Sequence, residues 1–224
     1  MKRISFLVLV FLLMLTSSVF ATKYDYKDET CNLGKLRSVV VDAVISPQGK
    51  VQDADITQKL VADICQRLEE RCHLRTATMT AVQQRIAAEK EPDFARIAAS
   101  DPARGSAMVR EMVQEYDAVL TLTIFNYGIG AAYEGSTAFR ADPSASAPAP
   151  VSDLKGQTAG KATVNIEFCL RDAKTNVVLL DRKELRTREL DAFVDPDAMA
   201  VAERMDDDYA ETLRRQMKAD AKRK

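Results

Sequence analysis

Four cysteines, one histidine and a run of three aspartates are the residues best suited to chemistry in this chain. They are Cys31, Cys65, Cys72, Cys169, His73 and Asp206-Asp207-Asp208. A thiol beside an imidazole makes a nucleophile, and Cys72 adjoins His73. Side chains of adjacent residues diverge on regular structure, so this pair is not read as catalytic. No C-x-x-C motif and no zinc-ligand spacing is present, which disfavours a redox enzyme or a zinc module. A single histidine excludes a multi-histidine metal site. Cys65 and Cys72 are seven residues apart on a predicted helix. Their Cα atoms then lie roughly 10 Å apart, too far to bridge. Any full set of disulfides therefore joins each of these two to Cys31 or Cys169. The alternative is that Cys65 and Cys72 are core thiols, since they share an apolar face with Val61 and Leu68.

Other sites fail on spacing. Gly128-Ile129-Gly130 follows a predicted strand, but the next glycine is Gly135 and no helix start follows, so a dinucleotide phosphate loop is not expected. Ser136 lacks the flanking glycine of a nucleophile elbow. Asp191, Asp195 and Asp197 lack the glycine and distal glutamate of a calcium loop. Asp206 to Asp208 fall in a helix and are expected to form a solvated face. The basic residues Arg182, Lys183, Arg186 and Arg188 alternate with Asp181, Glu184 and Glu189. That pattern predicts a charged edge strand that resists aggregation. The reading is of a chain with no catalytic residue, no cofactor and no metal.

The elements that would position these residues follow from periodicity. Leu36 to Ile45 is a β-branched run and predicts a buried strand, closed by a turn at Ser46-Pro47-Gln48-Gly49. A helix is predicted at 54–71, with Ile56, Leu60, Ile64 and Leu68 on one stripe. A short strand follows at 73–78, then a helix capped by Thr80. A short helix is expected over 94–99, and Asp101-Pro102 opens another that ends near Tyr116. Residues 118–127 and 161–171 read as strands. Asp172 to Asn176 is a turn, with Asn176 at a left-handed position. Residues 177–187 return as a strand, and a long helix runs from Asp195-Pro196 to about 220. Residues 128–160 are rich in Gly, Pro, Ala and Ser and predict a mobile excursion. At its entry and within it, Tyr127, Gly128, Gly130, Tyr133 and Phe139 form a candidate partner-contact loop.

The amino terminus sets the compartment. Lys2 and Arg3 precede an apolar run to Leu15, and Val19-Phe20-Ala21 fits a cleavage site. This predicts a signal peptide of residues 1–21, cleaved after Ala21, and a protein that is periplasmic or otherwise exported. Residue 22 is Thr, so no lipoprotein cysteine follows. Residues 22–35 read as a polar lead-in, and 36–224 as a single α/β domain. Hydrophobic residues make up 46% and charged residues 29%, as in globular chains. The net charge of −1 offers no global basic field for nucleic acid. No later run is long enough to span a membrane.

Three features together resemble a known group. They are the strand-helix-strand-helix start, the segment Glu115-Tyr116-Asp117-Ala118-Val119-Leu120, and the hairpin Asp172-Ala173-Lys174-Thr175-Asn176. The chain is similar in these to exported α/β domains of the curli-secretion-channel lipoproteins, the amino-terminal domain of the Tol-system propeller protein and the lipoprotein activators of penicillin-binding proteins. That group enters a strand through gly-ala-asp-ala-val, leaves it through an aromatic-glycine pair, and turns through asp-x-x-thr-gly. Here Tyr127-Gly128 is the exit, and Asn176 replaces the turn glycine. The resemblance covers roughly residues 36–220. It implies a mixed sheet with packed helices, a late β-hairpin and a long carboxy-terminal helix. The 128–160 stretch does not alternate as a membrane-inserting hairpin would, so a pore is not expected.

The expected function is a non-catalytic cell-envelope binding or assembly module, acting through protein–protein contacts at a sheet edge or at the long loop. An oligomeric ring-like component is the first rival and an exported hydrolase the second. The partner is an unidentified envelope protein or a second copy of the chain.

Overall fold

The computed structural model describes residues 20–53, 55–129, 161–189 and 197–222. The strands are β1 (Phe20–Lys27), β2 (Ser38–Val51), β3 (Arg75–Thr78), β4 (Ala118–Ile129), β5 (Lys161–Asp172) and β6 (Val178–Glu189). The helices are α1 (Ile56–Cys72), α2 (Met79–Glu89), α3 (Phe94–Ser100), α4 (Pro102–Val113) and α5 (Ala198–Ala221), with a 3-10 turn at Leu33–Lys35. The strands form one mixed sheet in the order β1-β6-β5-β4-β2-β3. β2, next to the β3 edge, is parallel to β3 and β4, and the remaining neighbours are antiparallel. No described helix is long and apolar enough to cross a membrane.

The parallel strands dictate the layers. β3 and β4 lie on opposite sides of β2, so the crossovers β2-α1-β3 and β3-α2-α3-α4-β4 run in opposite directions. Crossovers of one hand must then pack on opposite faces. One face carries α1 and α5. Ile56, Leu60, Ile64 and Leu68 meet Leu120, Leu122, Ile166 and Phe168 there, beside Val201, Met205 and Tyr209. Phe168 and Tyr209 stack with ring centroids 4.7 Å apart. The other face carries α2 to α4, which pack Val82, Ile86, Phe94 and Met112 over Val40.

Local chemistry fixes the joints. The Asp117 carboxylate accepts from the backbone N–H of Arg37 at 2.7 Å and of Ser38 at 2.9 Å, and so pins the start of β2 to the start of β4. Thr78, not Thr80, caps α2, its hydroxyl accepting from Ala81 N–H. Asp172 accepts from the N–H groups of Lys174 and Thr175, and Asn176 has φ 60°. Those bonds to Asp172 also hold its carboxyl below the ordinary value. The Ser46–Gly49 turn is real but interrupts β2 without ending it. Ile45 pairs with Ile124 and Lys50 with Asn126, so four residues bulge opposite Phe125. A side chain at Gly49 would lie 2.9 Å from the Ile124 carbonyl oxygen.

Two expectations are corrected. The lead-in at 22–35 is not loose, because Thr22 to Lys27 belong to β1, whose backbone pairs with β6. Leu33 beyond it is fully buried. The strand β6 is not an edge, because β1 covers it. Residues 1–19 of the expected signal peptide lie outside the described residues. Cleavage after Ala21 would leave six of the eight β1 residues.

Candidate functional site

The four cysteines are free thiols in this structure. Strand alternation puts Cys169 on the face of β5 opposite Phe168, away from α1 and α5. Cys65 and Cys72 lie on α1 against the other face, and the Cys72 thiol reaches the Ala210 carbonyl at 3.3 Å. The pairing of Cys169 with either residue, left open by the sequence, is blocked by the sheet. Burial pushes the Cys72 thiol up to about 11, so it is not a poised nucleophile. His73 is the left-handed carboxy-terminal cap of α1, with φ 56°.

The triple aspartate is only in part a solvated face, because Asp208 is exposed, Asp207 half-buried and Asp206 buried. Asp206 is fully buried beside Asp63 of α1, and burial holds its carboxyl well above the ordinary range. Asp207 bonds Arg67 at 2.8 Å and also pairs with Arg71. Asp208 pairs with Arg186. Arg182 and Glu184 are each 1% exposed. Arg182 donates to the Asp208 carbonyl at 2.8 Å and to the Thr212 hydroxyl at 3.0 Å. Burial pushes the Arg182 guanidinium down and the Glu184 carboxyl up. These charges dock α5 on β6 and α1.

The candidate partner-contact loop divides. Tyr127 and Gly128 are buried in β4, which continues to Ile129, so they are not loop residues. Gly130, Tyr133 and Phe139 lie outside the described residues. The structure brings forward a different surface, the free edge of β2. β3 is four residues long and pairs only with Ser38 to Val41. Arg75 N–H bonds the Arg37 carbonyl, so odd-numbered residues of β2 direct their backbone groups toward β3. Ala43 and Ile45 continue that row past the end of β3. No described strand pairs with them on that side. The Ala43 N–H is held by the carboxylate of Asp42 at 2.9 Å, and among the described residues no side chain holds the Ile45 N–H in the same way. Val44 is 42% exposed and Ile45 41%, and they project to opposite faces. Gln52 stiffens the outer end of this edge, its amide exchanging two bonds with the backbone of Ile129.

Sequence reasoning foresaw the strand but not its free edge, because the length of β3 is set by where Thr78 caps α2. A second exposed surface is the β1 end of the sheet, where Tyr24 and Tyr26 lie on the face opposite α5.

No protein-family model and no curated protein matches the chain. Among solved structures it is similar to the PelC dodecamer from Paraburkholderia phytofirmans, at 10% identity and a TM-score of 0.49, over 87% of this chain and 98% of that one. It is similar to lipoprotein GNA1162 from Neisseria meningitidis, at 15% identity and a TM-score of 0.43, over 79% and 97% of the two chains. It is also similar to the hypothetical protein CT253 from Chlamydia trachomatis, at 11% identity and a TM-score of 0.39, over 82% and 94%. The group that the sequence motifs resemble is not among these three.

Proposed function

We infer that this protein is an exported, non-catalytic module that acts by binding an extended segment of another envelope protein along the free edge of β2. The observation that carries the reading is the mismatch between a four-residue β3 and a fourteen-residue β2. It leaves the row of Ala43 and Ile45 open beside an exposed apolar pair. A strand edge of this kind supplies main-chain hydrogen bonds for affinity and alternate side-chain contacts for selectivity. Asp42, which occupies the Ala43 N–H, and the bulge at Ser46–Gly49 confine the free edge to a short stretch, as native sheets do to avoid indiscriminate pairing. The charged groups that the sequence offered for chemistry hold α5 in place, which supports a binding role over turnover.

The test is Ile45→Pro. Proline at this position removes an edge donor and leaves the β4 ladder intact. A native mass spectrum of the protein extracted from its own envelope should show a heteromeric complex for the natural chain and a monomer for the variant. Retention of the complex by a folded variant, or a natural chain that is monomeric, contradicts the reading. An Ile45-dependent complex of identical chains would replace the foreign partner with a second copy.

A further inference from the structure

The same stretch of β2, which shares Ala43 with the free edge, also carries a ligand-binding argument. From the carboxyl end of β2 the chain leaves over one face into α1, and from β3 it leaves over the other face into α2. Crevices outside the carboxyl ends of parallel strands, where successive connections diverge to opposite faces, are where open α/β sheets bind small molecules. A crevice of this kind opens at the carboxyl end of β3, beside the first half of β2. A cavity of about 250 Å³ lies between Val41 to Ala43, the first turn of α1 at Thr57 and Gln58, and the start of α2 at Thr80. A larger one of about 760 Å³ runs beneath α2 to α3 and α4. Asp42, Met79 and Thr80 border both. The size and the apolar walls suit a small organic molecule.

Asp42 borders both cavities and has no charged partner among the described residues. It stands in an otherwise apolar run, Val39-Val40-Val41-Asp42-Ala43-Val44-Ile45. Its Oδ1 holds the Ala43 N–H, and no described cation neutralises it. A half-buried carboxylate without a counter-charge costs free energy that a bound cation would offset. Burial pushes its carboxyl up from the ordinary value, the direction expected where no cation is at hand. The apolar part of the larger cavity's lining is Met79, Ala87, Phe94, Ala98, Val109 and Val113, with Gln83, Gln84 and Ser106 beside them and Arg110 the other charged residue, exposed on α4. A ligand suited to this arrangement has an ammonium at one end and an apolar body at the other.

We propose that this crevice is a binding site for a small organic amine, with its ammonium paired to Asp42 and its apolar body between α2 and α4. The inference does not depend on strand addition at Ile45.

The test titrates the purified chain with phenethylammonium and with phenethyl alcohol, its neutral counterpart, and follows backbone amide shifts. The expected result is saturable shifts at Ala43, Thr80 and Ala87 with the amine, and at least tenfold weaker binding of the alcohol. Asp42→Asn keeps an acceptor for the Ala43 N–H and should also weaken the amine at least tenfold. Ala87→Trp fills the larger cavity and should abolish binding. Equal affinity for amine and alcohol, undiminished binding to a folded Asp42→Asn variant, or no saturation below about 10 mM would overturn the proposal. The comparison of amine with alcohol needs no variant, so it stands even if one fails to fold.

Discussion

Asp206 shows how misleading a residue is without its neighbours. In sequence it belongs to an acidic run that looks made for solvent. In the fold it is fully buried, with Asp63, Arg67 and Glu203 as the charged groups around it. Desolvation and the adjacent Asp63 favour the protonated acid, so the folded state holds a proton that the unfolded chain releases in the ordinary carboxylate range. Its contribution to stability is therefore full at low pH and declines as pH rises above that range toward the raised folded value. Asp206→Asn keeps the shape and cannot ionise. It is expected to be more stable than the natural chain at pH 7 and to flatten the decline in stability above the ordinary carboxylate range, read from urea midpoints. A variant less stable than the natural chain at pH 8 would contradict this. Other single residues were more legible. Asp172, Asn176 and Pro102 each act through bonds or dihedrals within their own turn, and a local rule finds them. Asp206 answers to α1, far away in sequence, and no local rule reaches it.

At the scale of elements, legibility again followed locality. Helix α1, the α3–α4 pair and strands β4 and β5 carry their periodicity in their own residues, and each stands within a few residues of its expected place. β1 and β6 do not. Arg182, Glu184 and Arg186 alternate as an exposed strand would, and β1 looks like a polar tail. The two explain each other once paired, with Lys23 opposite Glu184 and Asp25 opposite Arg182, an arrangement of opposite charges that stabilises neighbouring strands. β1 is further tied to α5 by Lys27, which donates to Asp220 at 2.7 and 2.8 Å, and Asp220 also accepts from Leu33 N–H at 3.1 Å. Breaking a largely buried ion pair from one side leaves the other charge uncompensated. Asp220→Ala should cost about 3 kcal/mol, and should speed amide exchange in Tyr24 to Lys27 more than in β4. Unchanged exchange in β1 would show that the strand is held without Asp220.

For the whole molecule, the resemblance in sequence motifs pointed to the architecture, and the mixed sheet with a late hairpin and long final helix agrees with it. The surface proposed for binding was not legible. The expected contact loop began at Tyr127 and Gly128, which the fold buries. The free edge of β2 arises from the unequal lengths of two neighbouring strands, a property that belongs to neither alone. That inequality also separates the two surfaces a partner could use. Val44 and Ile45 flank the edge at one side of the sheet, and Tyr24 lies on β1 at the other. The direct measurement is site-specific photocrosslinking in the native envelope, with the reactive residue placed in turn at Val44, Ile45, Tyr24 and the exposed Arg96 of α3. The account predicts one discrete adduct from positions 44 and 45 and none from 24 or 96. An adduct from Tyr24 with none from the β2 edge would contradict it.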